Sequence, residues 1–381
     1  MNFDFSEDQY ALREQVRKFM VGQSPVSAAR QVMEQGLSHA QAVWDGLQTI
    51  GATALMLPED CGGAGLDALE LCVVAEEAGR QLAAVPLAST LYCVTQSLLL
   101  GASAAMQKTW LSRIAQGDIA CMAAPLDGEL KHQSLPQFDG HRLTGTLPLV
   151  ADGGCAAFAV VLARDGSDTP VWVVADAGAQ VQRTSLQTLD PSKPYCRLEF
   201  VQAPAQALDA GVHWQSLLTR VRQRAAILLA FEQLGGADAA LEMAAHYARE
   251  RKAFGRAIGS YQGIKHKLAD LYTANQLARV HCYYGAWALD ADARSGAAGD
   301  SALGIAAAAA RVSATQAYSL AAQENLQTHG GMGYTWDSDC HLHYRRARHH
   351  ALVLGNVHHW REQLSSHLVT QFRSDATQHT A

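Results

Sequence analysis

The sequence has no CxxC pair, no long apolar run and no basic cluster, and each absence removes a class of protein. Its eight cysteines (Cys61, Cys72, Cys93, Cys121, Cys155, Cys196, Cys282 and Cys340) are scattered, which leaves neither a zinc knuckle nor a disulfide framework. They read as reduced core residues, as free cysteines usually are. The Ala-rich run from Ala302 to Ala310 ends at Arg311, far short of the ~18 apolar residues that a membrane span needs. No Lys/Arg run exceeds a pair and the formal net charge is -6, so nothing here can neutralise the phosphates of a duplex; nucleic acid is not an expected partner. The acidic start, Met1 to Asp8, has neither a basic segment nor an apolar stretch for secretion, so a cytoplasmic location is expected.

What is present is an ordinary globular composition. Hydrophobic residues make up 49% of the 381 residues and charged residues 17%, enough for two or three packing units and a large buried core. Ser6, with Gln9 three residues on, reads as a capping box that opens a helix through Tyr10, Leu12, Val16 and Phe19. Leu69 to Leu82 repeats the helical pattern, and Pro58 to Gly65 between them is a turn broken by three glycines. From Gly117 the texture changes to short β-rich runs: Ile119–Ala123, Arg142–Thr146, Ala156–Ala163, Pro170–Ala175 and Arg197–Val201. Separated by Gly, Asp, Ser and Pro, they read as a compact antiparallel barrel or sandwich. From Trp214 helical periodicity returns to Leu368, with breaks at Gly255–Gly259, Ser295–Asp300 and Gly330–Gly333. The expected segments are therefore helical over 1–116, β over 117–208 and helical over 209–372, with a polar tail at 373–381 that should fray. This α–β–α order excludes alternating βαβ architectures.

Two motifs carry chemistry. Tyr247-Ala-Arg-Glu-Arg-Lys-Ala-Phe-Gly255 runs on to Gln262, and Gln327-Thr-His-Gly-Gly-Met-Gly-Tyr334 lies about 70 residues further on. Arg251 is a fixed cation beside flexible glycines, suited to a phosphate oxygen, and Phe254 offers a flat apolar face. Gly330-Gly331 lets backbone N–H groups approach an anion, and Gln327 adds an amide. Together these groups could hold a dinucleotide. Singly, each is as readily a solvated arginine, a core phenylalanine or a helix-breaking glycine pair.

Both motifs, together with Pro58-Glu59 to Gly65 and the α–β–α layout, resemble acyl-CoA dehydrogenases over nearly the whole chain. The resemblance implies an acyl-CoA dehydrogenase-like fold, with an N-terminal all-α domain, a middle antiparallel β domain and a C-terminal four-helix-bundle domain. It also implies flavin adenine dinucleotide (FAD) lying across a subunit interface. Arg251, Phe254, Gln262, Gln327, Gly330 and Gly331 would then reach the diphosphate and adenosine of a cofactor whose ring sits in the neighbouring subunit.

The resemblance breaks where the reaction needs a base. Removal of the α-proton requires a carboxylate, and a general base typically contributes ~10² to 10⁴ in rate. The two places where family members carry that Glu align to Leu354, in Ala351-Leu-Val-Leu-Gly355, and to Ala225, in Arg224-Ala-Ala-Ile227. Neither can take a proton. Glu232, seven residues beyond Ala225 on roughly the same helical face, is the nearest substitute, but a structural role such as pairing with Arg220 or capping a packed helix explains it better. Asp337 and Asp339 fit turn chemistry. The family's Thr-Glu-Pro-Gly-like loop and Trp-x-Thr strand are replaced by Ala123-Ala-Pro-Leu-Asp-Gly128 and Leu149-Val-Ala-Asp152, so the residues that would meet the flavin ring are missing. His341, His343, His349 and His350 lack the i, i+4 spacing by which ligands share a helical face, and no metal site is expected.

Three readings remain. The first is a non-catalytic subunit of an α2β2 acyl-CoA dehydrogenase, resembling the bacterial enzymes acting on steroid side-chain CoA thioesters, with an acyl-CoA substrate, a catalytic partner subunit and an electron-transfer flavoprotein as acceptor. The second is a self-sufficient homomeric enzyme with Glu232 as displaced base. The third is a flavin-free scaffold on the same fold.

Overall fold

The computed structural model describes residues 6–124, 135–209, 211, 213–295 and 300–378. Within these, α1 (Glu7–Gln23) opens as the sequence predicts: Ser6 Oγ accepts the Gln9 N–H at 3.2 Å and Gln9 Oε1 accepts the Ser6 N–H at 3.0 Å. Two short helices, α2 (Val26–Gln35) and α3 (Gln41–Thr49), follow. The Pro58–Gly65 turn contains a single 3₁₀ turn, Glu59–Cys61, closed by Gly62 in the left-handed region. After it come α4 (Ala68–Arg80), a stretch of π-helix at Ala88–Val94 continuing into α5 (Thr95–Gly101), and α6 (Ala104–Ala115). The expected helix at 69–82 is α4.

By packing, the chain forms two compact units: Met1–Val26, Ala68–Ala83 and Ala226–Ala381 make one, Ser27–Asp67 and Ala84–Ala225 the other. The segments 1–116, 117–208 and 209–372 divide the chain by type of element; the units divide it by contact. In the first unit, α1 is tied to α4 by charge. Arg13 reaches Glu76 at 3.0 Å and Arg17 reaches Glu77 at 2.8 Å. Both carboxylates are buried, where a charge is costly without a cation within reach.

The second unit contains a closed β-barrel. Its strands are β1 (Ala120–Ala123), β2 (Gln137–Phe138), β3 (Arg142–Ala151), β4 (Phe158–Arg164), β5 (Pro170–Asp176), β6 (Val181–Leu186) and β7 (Tyr195–Ala207). The ring runs β4-β2-β3-β7-β5 and back to β4, with β1 added beside β4 and β6 beside β7. Most pairings are antiparallel as expected, but β1 and β2 both run parallel to β4. β2 has two residues, and β6 buries Val181 alone, so neither shows an apolar alternation by which sequence could find it. Phe138, Leu143, Val161, Val173, Leu198 and Phe200 fill the barrel core.

The C-terminal helices are α7 (Trp214–Glu250), α8 (Gln262–Ser295), α9 (Asp300–His329), α10 (Cys340–His350) and α11 (Val357–Gln378). The break predicted at Gly255–Gly259 is a tight hairpin, β8 (Lys252–Ala253) and β9 (Arg256–Ala257), turned by Phe254 at φ 50° and Gly255 at φ 83°. α11 carries helical backbone to Gln378, into the segment expected to be a frayed tail. The eight cysteines are unbridged thiols, seven buried and Cys155 half-buried. Among the described residues no helix is long and apolar enough to cross a membrane, and no group of His, Cys, Asp or Glu could hold a metal ion.

Candidate functional site

The two glycine-containing motifs lie at one end of the bundle. Tyr247, in the last turn of α7, stacks on His329 at the end of α9 with ring centroids 4.1 Å apart, and Met243 Sδ accepts the Asn325 amide at 3.2 Å. These contacts bring the α7–α8 hairpin beside the turn after α9. Arg251, Gln262 and Gln327 all project into solvent. Phe254 is 99% exposed, an unusual state for a large apolar ring. Gln327 Oε1 accepts the Tyr334 hydroxyl at 3.3 Å. Gly330 has φ 59°, and a Cβ at Gly330 or Gly331 would meet nothing within 4 Å, so the backbone there is open to a close approach.

This donor set fits a dinucleotide: a guanidinium for the diphosphate, two carboxamides for polar edges, an aromatic face, and at Gly330-Gly331 a backbone open to close approach. A cleft of about 330 Å³ runs alongside, floored by Ala245, Ala248 and Leu268 and flanked by Arg249 and Lys265.

The two positions expected to align with the family's base, Ala225 and Leu354, are both buried. Ala225 is fully buried in α7. Leu354 is buried with φ 63°, and Gly355 follows at φ 101°; a left-handed leucine needs surroundings that hold it there. Arg311 of α9 supplies them by donating to the carbonyls of His350 and Val353, the latter at 2.6 Å. It also donates to Gln233 Oε1 and to Thr315 Oγ1. Burial pulls its guanidinium down to about 9. In the sequence Arg311 shows only as the residue that ends an apolar run. A lone arginine after Ala306–Ala310 on a core helix was the available signal that it is buried and gripping something.

Glu232 lies inside the bundle with its side chain fully buried, Oε1 3.4 Å from His350 Nε2 and 3.7 Å from Arg346 Nη1. Its charge partners are these two residues of α10, where the sequence reading offered Arg220. Arg346 in turn donates to the carbonyls of Leu82 and Ala83 at 3.2 and 3.4 Å. Asp337 sits exposed in the loop before α10, and Asp339 immediately precedes that helix.

In the second unit, Leu149 on β3 is 60% exposed and Val150 is buried. Asp152 accepts the Ser89 hydroxyl at 2.6 Å and has φ 56°, a buried polar contact that the sequence reading missed. Pro125 to Gly128 of the replaced loop lie outside the described residues. Arg224, beside Ala225, is buried and donates to Gln96 Oε1 at 2.8 Å.

Two family models match the chain: "Acyl-CoA dehydrogenase, N-terminal domain" over residues 6–118 and "Acyl-CoA dehydrogenase, C-terminal domain" over 215–368. The acyl-CoA dehydrogenase IpdE2 of Mycobacterium tuberculosis is 32% identical over 349 residues, 91% of this chain and 93% of that protein. A chain of the ChsE4-ChsE5 complex from Mycobacterium tuberculosis is similar in structure, with TM-score 0.84 and 26% identity over 97% of this chain and 99% of that one. A variant of the Tcur3481-Tcur3483 steroid ACAD matches with TM-score 0.82 and 26% identity over 96% and 99%.

Proposed function

The chain belongs to the acyl-CoA dehydrogenase family, and on that premise we propose that it is the non-catalytic subunit of a heteromeric, FAD-dependent enzyme that introduces an α,β double bond into an acyl-CoA. The observation that carries this reading is the pair of empty base positions: Ala225 and Leu354 are both buried and apolar. The exposed Arg251, Phe254, Gln262, Gln327 and Gly330-Gly331 favour a cofactor held jointly with another chain, since a guanidinium and amides in reach of solvent can pair with an incoming anion and an exposed aromatic ring gains by being covered. Two structural relatives come from paired proteins, ChsE4-ChsE5 and the steroid ACAD Tcur3481-Tcur3483. A steroid side-chain CoA thioester is the substrate class they suggest, with an electron-transfer flavoprotein as acceptor.

When bound, FAD would accept the hydride that leaves the β-carbon. This chain's part is to hold it. Arg251 neutralises diphosphate charge, the Gln262 and Gln327 amides and the backbone N–H groups of Gly330-Gly331 give hydrogen bonds, and Phe254 covers an apolar face. The carboxylate that removes the α-proton comes from the partner. Glu232 serves the bundle: its carboxylate faces Arg346 in a dry interior, where a buried guanidinium needs a counter-charge.

The test is flavin content. The chain purified alone should carry little flavin by its visible spectrum, and co-purification with a catalytic acyl-CoA dehydrogenase chain should restore about one flavin per pair. Stoichiometric yellow protein from the chain alone, with turnover, would overturn the reading in favour of the homomeric enzyme. A colourless pair would favour the scaffold.

A further inference from the structure

The last turns of α7, the hairpin after it and the first turns of α8 enclose the cleft of about 330 Å³, roughly the volume of ten waters and at the small end of the range for ligand pockets. Its walls are braced. The Ile258 N–H donates to the Arg251 carbonyl at 2.8 Å, the Tyr261 hydroxyl donates to the Ala253 carbonyl at 2.9 Å, and the Arg256 guanidinium lies 4.0 Å from the centroid of the Tyr261 ring. A Cβ at Gly259 would come within 2.9 Å of the Ala248 carbonyl oxygen, so the glycine is what lets the turn lie against α7 and close one end. The cleft is also separate from the Gly-rich turn. At 100° per residue, Ala245, Ala248 and Arg249 occupy one side of α7, and Tyr247, whose ring stacks on His329, projects about 150° away from their middle.

The lining says what the cleft can take. Its floor is the methyl groups of Ala245 and Ala248 and the Leu268 side chain, which offer no hydrogen bond to a sugar or a base. The Ser260 hydroxyl already donates to the Ala257 carbonyl at 2.7 Å, so it has no second proton to give. At the rim stand Arg249 and Lys265, both exposed. Among the described residues neither has an ion-pair partner, whereas their neighbours on the same helices do: Lys267 lies 2.6 Å from Glu324, and Glu250 lies 3.3 Å from His246. Two unopposed cations attract an anion, and the apolar floor then stabilises the hydrocarbon attached to it. We propose that this cleft binds a small hydrocarbon carboxylate, its charge at Arg249 and Lys265 and its chain over Ala245, Ala248 and Leu268. The arginine fork takes both carboxylate oxygens and the lysine adds a point charge. Neither residue is among the groups proposed to hold a cofactor, so the site stands whether or not the chain shares one. Hydrolysis of an acyl-CoA thioester releases an anion of this class.

The experiment titrates octanoate into the full chain by calorimetry, in wild type, in the charge variant Arg249→Gln/Lys265→Gln and in the floor variant Ala245→Leu. Glutamine and leucine both suit a helix, and far-UV circular dichroism with an unfolding midpoint checks the fold of each. Wild type should bind one octanoate with a Kd of about 1 mM or tighter, and each variant should bind it at least about tenfold more weakly. Octanol, which lacks the charge, and inorganic phosphate, which lacks the hydrocarbon, should also bind wild type at least about tenfold more weakly. No saturable binding of octanoate up to about 10 mM overturns the site. Binding that both variants retain overturns its location. Octanol binding as tightly as octanoate overturns the role of the two cations, and phosphate binding as tightly overturns that of the floor. Displacement of octanoate by adenosine diphosphate makes the cleft part of a nucleotide site and overturns its separateness.

Discussion

Gly79 of α4 and Gly235 of α7 are seated reciprocally, each against the backbone of the other's helix. A Cβ at Gly79 would lie 1.9 Å from the carbonyl oxygen of Glu232, and one at Gly235 would lie 1.9 Å from that of Glu76. The two helices can cross this closely only because neither carries a side chain at the crossing. The same crossing sets the positions of Glu76 and Glu232, two buried carboxylates of the unit.

Gly79→Ala and Gly235→Ala should therefore each destabilise the chain by about 2 kcal/mol or more, against the ~1 kcal/mol that alanine normally gains over glycine within a helix. Urea unfolding followed by circular dichroism reads the difference. A midpoint at or above wild type in either variant would show that the helices can separate at no cost.

Glu232→Gln and Arg251→Ala should fail in opposite ways. Loss of the Glu232 carboxylate leaves the buried Arg346 guanidinium without that partner in a dry core, a change worth about 3 kcal/mol of stability, while turnover of the assembled enzyme stays within about tenfold, because loss of a true base costs ~10² to 10⁴. Arg251→Ala should leave unfolding unchanged and weaken flavin retention in the complex by roughly 10- to 100-fold, the scale of one charge-assisted hydrogen bond. Dialysis against buffer, with flavin read by absorbance, measures the second effect and steady-state kinetics the first. Collapse of turnover in Glu232→Gln with flavin and stability intact would make Glu232 the base.

Restoring a carboxylate should not restore chemistry to the chain alone. Leu354→Glu or Ala225→Glu places an acid at a position proposed to align with the family's base, but a base acts only within ~3 Å of its proton and with the acceptor held opposite. The exposed Leu149 on β3 offers that acceptor no indole or hydroxyl. Mass spectrometry of deuterium entering an acyl-CoA should find both variants at the wild-type background; exchange above it would show an intact half-site lacking only its acid.

His343 predicts an acid limb. Burial, reinforced by Arg346, pushes its imidazole down to about 4 from an ordinary 6.5, with Asp339 opposing and Arg80 adding to the shift; its Nδ1 lies 3.3 Å from the Tyr318 hydroxyl. The unfolded chain binds this proton more tightly than the folded one. The neutral ring's contribution is thus complete above pH ~6.5 and is lost as pH falls towards ~4, by roughly 3 kcal/mol in all. His343→Gln should flatten that part of the stability–pH curve, measured by denaturant melts at successive pH values. An unchanged slope between pH 6.5 and 4 would refute the assignment.

The order of elements was legible because it rests on local signals. The Ser6–Gln9 box, the three-glycine turn and the long 3.6-residue periods each act within a few residues. What stayed hidden depends on contacts far apart in the chain. Parallel pairing of β1 and β2 with β4 leaves no mark on strands of four and two residues. Tyr10 fits the apolar spacing of α1 yet is 48% exposed, while Val16 and Met20 form its buried stripe. The residues proposed to hold the cofactor are visible in sequence only as motifs. Their common exposure at one end of the bundle is a tertiary property, as is the hold of Arg311 on the Leu354 loop.

The barrel has a consequence for how the protein is made. β7 is its last strand, and it pairs with β3, β5 and β6, so the ring cannot close until residues up to Ala207 have left the ribosome. β3 ends at Ala151, and at ~5–20 residues per second its edge waits roughly 3–11 s for that partner. An emerging chain with an unpaired strand edge is open to a neighbour's strand during that time. Translation speed between β3 and β7, rather than the stability of the finished fold, then becomes a handle on the yield of native protein.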